Sequence, residues 1–251
     1  MHRLLIVPAA GAGTRLGMSV PKLLVPVDGV PMISRVLGLY ADLASRAVIV
    51  VQPAALPDVR QGITKTPMPV DFVAQEQPTG MLDAILLAAP FVERWRPNRV
   101  WITWCDQIAL LPTTLEKLRD VDDAVPAPAL ALATCRTSDP YVHLQRDSSG
   151  RITRVLHRRE GDDLPDIGES DAGLFDLSLT AFSNELPAYA ARPQIGKRTG
   201  ERNFVPFVAW MAERGPVAAV ACSEPEEAVG INTPGELKRI EEHLRARVFS
   251  R

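Results

Sequence analysis

Cysteine is scarce in this chain: three residues in 251, Cys105, Cys135 and Cys222. Their odd number and wide scatter exclude a disulfide framework and a metal-ligand spacing, and they fit a reducing cytosol. An excess of one charge is also missing. Lys and Arg number 28 against 30 Asp and Glu, for a net charge of -2, which argues against nucleic acid or an anionic membrane as the main partner. No apolar run approaches a membrane span. The opening MHRLLIV is too short for a signal peptide, and Pro8 interrupts it. There is no Ser-His-Asp or Cys-His set, no internal repeat and no linker, and the one Pro/Ala-rich patch, around Pro126 and Pro128, is short. What is present is 46% apolar and 23% charged residues, enough to build a packed core. The length suits one large α/β domain.

Short β-rich runs alternate with amphipathic stretches. Leu4–Val7, Ala47–Val51, Val70–Ala74 and Arg99–Trp104 read as buried strands of a parallel sheet. Met32–Leu43 and Leu82–Trp95 carry helical spacing between them. This order predicts a three-layer, Rossmann-like wound sheet. In the second half, YVHLQRDSSGRITRVLHRR reads as a hairpin turning at Asp147–Gly150. A strand near Leu174–Leu177, a helix over Phe204–Glu213, a strand at Val217–Ala221 and a closing helix over Glu236–Arg247 follow. The expected organisation is one domain, 1–251. It divides into a nucleotide half (about 1–135), an inserted β-rich lobe (about 136–230) and a closing segment (231–251).

The stretch PAAGAGTRLGMSVPK, Pro8 to Lys22, follows the first strand, at the carboxyl end where α/β ligands bind. Its glycines let backbone N–H groups approach a ligand and form an anion nest. A P-loop requires a Lys-Ser/Thr pair after the second glycine, and none is present. A dinucleotide fingerprint requires glycine where Leu16 stands and an acid where the second strand ends Val50-Val51-Gln52. Gly11-Ala12-Gly13-Thr14-Arg15 followed by Pro21-Lys22 instead sets two cations beside the nest, which suits a triphosphate. The bland alternative is a tight turn.

G-x-G-T-R followed by P-K resembles the signature of the nucleoside-diphosphate-sugar pyrophosphorylases, the family of N-acetylglucosamine-1-phosphate uridyltransferase. Four later segments are similar to that family's blocks, in family order and over nearly the whole chain. These are EQPTGMLDA (Glu76–Ala84), VWITWCDQ (Val100–Gln107), ESDAGLF (Glu169–Phe175) and EAVGINTPGEL (Glu227–Leu237). The resemblance implies the nucleotide-diphospho-sugar transferase fold, a mixed wound sheet with an inserted acceptor lobe. It also implies Mg²⁺-dependent transfer of a nucleotidyl group from an NTP to a phosphorylated small-molecule acceptor, with release of pyrophosphate. Such chemistry is mostly positioning and charge neutralisation.

On that resemblance Arg15, Lys22 and Asp106 are the catalytic residues. Ala9, Ala10, Gly11, Ala12, Gly13, Thr14, Gln75, Gln77, Thr79 and Gly80 line the nucleotide, and Tyr141, Asp171, Gly173, Glu201 and Asn203 line the acceptor. Asp106 and Asn232 would hold Mg²⁺, as oxygen ligands suited to a hard cation. Residue chemistry alone leaves alternatives. Asp106 could cap the next helix, Asn232-Thr233-Pro234 could open the last one, and Gln77 and Thr79 could simply shape a loop. His143 and His157 read as surface residues, and Trp101 and Trp104 as core. The acceptor side departs from the family. Val142 stands where the family has glycine, Asp171 where it has asparagine, and His157 where it has a sugar-binding glutamate. A sugar 1-phosphate is the expected acceptor. The alternatives are a cytidylyltransferase acting on a phosphorylated alcohol or polyol, and a non-catalytic nucleotide sensor. The uridyltransferase's left-handed β-helix domain is expected to be absent, and the location cytoplasmic.

Overall fold

The computed structural model describes residues 2–11, 16–18, 20–63, 65–122, 124–192 and 195–248. The chain begins with β1 (Arg3–Pro8), whose alternate residues feed two different cores. Leu5 and Val7 face one side of the sheet and Leu4 and Ile6 the other, all of them buried. A strand covered on both faces reads as an unbroken apolar run, as LLIV does. After the short β2 (Pro26–Val27) and β3 (Val30–Pro31) comes α1 (Met32–Leu39). The central sheet then gains β4 (Arg46–Val51), α2 (Leu56–Gly62) crosses over, and β5 (Val70–Ala74) follows.

The expected single helix over 82–95 is two, α3 (Met81–Leu86) and α4 (Ala89–Trp95). Pro90 explains the break: it has no N–H to give, and its ring clashes with the carbonyl four residues back. Helix α1 ends at Leu39, four residues before the expected end. Next come β6 (Arg99–Thr103), α5 (Pro112–Asp122), β7 (Leu130–Ser138), and the hairpin of β8 (Val142–Arg146) and β9 (Ile152–His157). The Asp147 carboxylate closes that hairpin, accepting from the Ser149 and Arg151 N–H groups at 2.9 and 3.1 Å. The long β10 (Ile167–Ser178), a π-helical turn (Ala181–Glu185), α6 (Leu186–Ala190), α7 (Phe207–Ala212), β11 (Val217–Ala221) and α8 (Pro234–Val248) complete the order.

The main sheet has seven strands in the order β11-β7-β10-β6-β1-β4-β5. Six run parallel and β10 alone is reversed, antiparallel to both β6 and β7. The sheet is thus mixed, as the family resemblance implied. One face is covered by α1, α2, α5 and α8 through Ile33, Val36, Val59, Leu115 and Ile240. The other is covered by α3, α4, α6, α7 and the β8–β9 hairpin through Leu82, Val92, Leu186, Phe207 and Leu144. Residues 136–230 supply that hairpin and two strands of the main sheet. No described helix is long and apolar enough to cross a membrane.

Two features position the site. The chain winds outward from β1 through β4 to β5, then returns to the other side of β1 with β6. The carboxyl ends of β1 and β6 therefore flank the switch point where open α/β sheets bind ligands. The second feature is the irregularity in β10 between Asp171 and Phe175, where the register with β7 shifts. A bulge of this kind re-aims a side chain, and here the side chain is Asp171, beside the end of β6.

Candidate active site

At the end of β1, Ala9 and Ala10 are buried, and the Ala9 N–H donates to the Val50 carbonyl at 2.7 Å. Gly11 opens the loop, exposed, with vacant space where a side chain would project. Ala12, Gly13, Thr14 and Arg15 lie outside the described residues. The chain re-enters the site at Lys22, which opens a 3₁₀ turn after Pro21.

Lys22, Asp106 and Asn232 converge. The Lys22 ammonium donates to Asp106 Oδ2 and, at 2.8 Å, to Asn232 Oδ1. Both side chains of the ion pair are mostly buried, 12% and 14% exposed, so solvent screens the pair little. Because both oxygens accept from one nitrogen, they lie no more than roughly 6 Å apart, the span of two hydrogen bonds. Backbone contacts fix the arrangement. The Ile231 N–H donates to the Asp106 carbonyl at 3.1 Å, and a β-carbon on Gly230 would sit 3.2 Å from Asp106 Oδ2.

The helix-cap readings resolve by geometry. Asp106 precedes α5 by a full loop, so it does not cap that helix. Thr233 and Glu236 make the capping box of α8. Thr233 Oγ1 accepts from the Glu236 N–H at 3.3 Å, and Glu236 Oε2 accepts from the Thr233 and Asn232 N–H groups at 2.7 and 2.8 Å. The Asn232 side-chain carbonyl is turned to Lys22 instead. A carboxylate and an amide oxygen aimed at one point form a hard donor set that suits a divalent cation of the Mg²⁺ type. Cys105, next to Asp106, is no nucleophile, because burial pushes its thiol up to about 12.

Beside this group sits Asp171. Gly173 N–H donates to its Oδ1 at 2.9 Å and the Trp104 indole N–H at 3.3 Å. Burial pushes its carboxyl up to about 6 against those two donors, and the charge of Asp106 adds to the rise. Gly173 has φ +64°, and a β-carbon there would overlap the Gln107 amide at 1.3 Å, so only glycine fits. Sequence reasoning missed Gln107 and set Trp104 aside as core. Trp104 is half-buried, packed on Phe175 and Phe204, with its N–H on Asp171. Its place two residues before Asp106 was the available signal.

Below about pH 6 the protonated Asp171 both donates and accepts, as an amide would; above it, the carboxylate only accepts. Its folded pKa lies above the ordinary aspartate value of 3.8, so the folded chain keeps a proton that the unfolded chain has released. The group's stabilisation is full below 3.8 and is lost as pH rises through about 6. The expected kinetic result is an inflection near pH 6 in the KM for the acceptor that Asp171→Asn removes. The KM for NTP should be unmoved in that variant; equal shifts in both would detach Asp171 from acceptor recognition.

The remaining expected residues form a frame. Gln75 is buried and donates to the Gly80 carbonyl at 3.1 Å and to Thr79 Oγ1 at 3.4 Å, bracing the loop. Gln77 is exposed, and its carbonyl takes the Thr79 N–H at 2.8 Å. This loop is tied to the segment around Asn203. Arg202 N–H donates to the Thr79 carbonyl at 2.7 Å, Leu82 N–H to the Arg202 carbonyl at 3.0 Å, and Gly80 passes too close to Arg202 to carry a side chain. Tyr141 lies edge-on to His157 at 5.1 Å, Glu201 pairs with Arg159 at 3.0 Å, and Asn203 donates to Glu160 at 2.9 Å. His157, expected at the surface, is partly buried under Tyr141, and burial lowers its pKa. Glu160 was not anticipated. Burial would raise its carboxyl, but donors from Thr199, Arg198 and Asn203 hold it near 2.

Over residues 5–166 the chain matches the model of the MobA-like NTP transferase domain. It is 27% identical over 244 residues to bifunctional protein GlmU of Coxiella burnetii (strain RSA 493 / Nine Mile phase I), covering 95% of this chain and 51% of that one. It is 29% identical over 258 residues to bifunctional protein GlmU of Acidithiobacillus ferrooxidans (strain ATCC 53993 / BNL-5-31), covering 98% and 52%. The chain thus spans about half the length of the curated relatives it matches. Its fold is similar to the crystal structure of a Bacillus anthracis protein assigned as a glucose-1-phosphate thymidylyltransferase, in complex with a sucrose. That match has a TM-score of 0.74, 17% identity, and covers 97% of this chain and 95% of that one. The chain belongs to the MobA-like NTP transferase domain family.

Proposed function

We propose that this chain is a nucleotidyltransferase that moves a nucleotidyl group from an NTP to a phosphorylated small molecule, a sugar 1-phosphate, and releases pyrophosphate. The observation that carries the reading is the convergence of Lys22, Asp106 and Asn232 at the sheet's switch point. In this reading Arg15 holds the phosphates that leave, and the Gly11 loop cradles the triphosphate with its N–H groups. Lys22 holds the α-phosphate and its developing charge. Asp106 and Asn232 would hold Mg²⁺, which when bound would neutralise phosphate charge. No general base is needed, since a phosphate monoester is already ionised near neutral pH. Residues 1–135 are proposed to bind the NTP, 136–230 the acceptor, and 231–251 to close the domain. The reaction is placed in the cytoplasm, in keeping with its small phosphorylated substrates and free cysteines.

One observation favours a second reading. The buried carboxylate of Asp171 only accepts hydrogen bonds once ionised, and it stands where the sugar-binding family has an amide. That exchange suits a phosphorylated alcohol carrying a strong donor, with CTP as the nucleotide. A pyrophosphate-release screen decides between them. Each of four NTPs is run with Mg²⁺ against glucose 1-phosphate, N-acetylglucosamine 1-phosphate and a set of phospho-alcohols. Release with a sugar 1-phosphate carries the first reading, release with a phospho-alcohol and CTP the second, and no release with any pair overturns both in favour of a nucleotide-sensing role.

A further inference from the structure

We infer that Cys135 and Cys222 form an oxidant-sensitive dithiol, a modification site on the far edge of the sheet that closes to an intramolecular disulfide. Cys135 lies in β7, and Cys222 directly follows β11, the edge strand whose partner in the sheet is β7. Ala221 is in register with Thr134, and the Cys222 N–H donates to the Thr134 carbonyl at 2.8 Å, so the two cysteines are the next neighbours along the pair. Ala131, Ala133 and Val220 face the core under α5 and α8, and Ala218 and Cys222 pack against the same cluster. Strand alternation puts Cys135 on that face too. The Cys135 Sγ donates to the Arg136 carbonyl at 3.7 Å and the Glu224 carbonyl at 3.8 Å, and each thiol is the largest influence on the other's pKa. Neighbouring strands lie about 4.8 Å apart, inside the window of about 4.4–6.8 Å that a disulfide requires between α-carbons. An edge strand held from one side, with Cys222 just past its last paired residue, can take up the small adjustment.

The environment divides the roles. The S–H of Cys222 lowers the Cys135 pKa below the usual thiol value, and holding that shared proton raises the pKa of Cys222. Cys135 is mostly buried and Cys222 half-buried, so a small oxidant such as hydrogen peroxide is the matching reagent. The Cys135 thiolate attacks one peroxide oxygen, the O–O bond breaks, hydroxide leaves, and Cys135 becomes a sulfenic acid. The Cys222 sulfur then attacks the sulfenic sulfur. The S–S bond forms, the S–O bond breaks, and the departing hydroxide takes the Cys222 proton as water. Two thiols supply two electrons, and one peroxide becomes two waters. The tie falls ten residues before Asn232, at the start of a segment anchored by Glu227, which accepts from Ser223 N–H at 2.7 Å and Leu111 N–H at 2.9 Å.

The test needs no nucleotide and is independent of the proposed reaction. The purified full chain is treated with equimolar hydrogen peroxide, denatured in N-ethylmaleimide, and digested for mass spectrometry. The expected result is loss of two of the three alkylatable thiols, a mass lower by about 2 Da before alkylation, and one cross-linked peptide pair joining Cys135 to Cys222. Dithiothreitol should reverse it, and Cys135→Ser and Cys222→Ser should each abolish the cross-link while remaining folded by circular dichroism. Persistence of both thiols, separate oxidation of either to a sulfinic acid, or a link between two molecules would overturn the inference.

Discussion

Lys22→Ala is expected to lower turnover by on the order of 10²–10³ while NTP affinity stays within roughly tenfold. The ammonium is held between the Asp106 carboxylate and the Asn232 amide carbonyl, and the Lys22 and Asp106 side chains are mostly out of water. With Asp106 and Asn232 given to Mg²⁺ in the proposed reaction, the ammonium turns from those two oxygens to the phosphates, where it would meet the charge that develops on the α-phosphate. In the proposed reaction, uniform binding of the triphosphate is assigned to the N–H groups of the Gly11 loop and to Arg15, which is why affinity should move less than turnover. Asp106→Ala removes the one carboxylate of the proposed metal pair and is expected to act at least as severely, with Mg²⁺ titration no longer stimulating pyrophosphate release. The assay is pyrophosphate release at saturating substrates, on variants that keep the wild-type circular dichroism. A Lys22→Ala enzyme that lost binding and kept turnover would put Lys22 elsewhere on the triphosphate. Undiminished Mg²⁺-dependent release by Asp106→Ala would remove the mechanism itself.

How much of this was legible beforehand depends on where each signal resides. Strands β1, β4, β5 and β6 announce themselves as apolar runs because both faces are covered. Strand β7, LALATCRTS, is alanine-rich, ends in polar residues, and shows neither alternation nor a β-branched run, so it went unread. Strand β10 was recognised only at Leu174–Leu177, because its first half, IGESDAG, is polar in composition while Ser170 and Asp171 are buried. That polarity belongs to the bulge and to the proposed acceptor side, so the local rule fails where function is proposed. Lys22, Asp106 and Asn232 lie far apart in sequence, and no local pattern joins them; the family resemblance did. Glu160 and Gln107 could not be found that way. Their significance lies in partners tens of residues away, Thr199 and Asn203 for one and Gly173 for the other.

Asp176→Ala is expected to destabilise the fold by about 3–5 kcal/mol, the cost of stranding one member of a buried ion pair. Asp176 is fully buried in β10, and Arg99 is nearly so in β6. The guanidinium donates through Nε at 3.0 Å and Nη2 at 2.5 Å to the carboxylate, and through Nη1 to the Pro128 carbonyl at 2.9 Å. This pair joins the reversed strand β10 to its antiparallel neighbour β6, and Asp176 sits on the same strand as Asp171 and Gly173. With the carboxylate gone, Arg99 loses the acceptor that its Nε and Nη2 share in the middle of the sheet. For a chain of this size the loss corresponds to a fall in Tm of roughly 6–20 °C. The discriminating experiment is a cycle. Arg99→Leu with Asp176→Leu removes both charges and should recover most of the loss, because burying an ion pair itself costs desolvation. Denaturant melts of the two single variants and the double one measure the coupling. Additive losses, with no recovery in the double variant, would mean that strands β6 and β10 are held by packing alone.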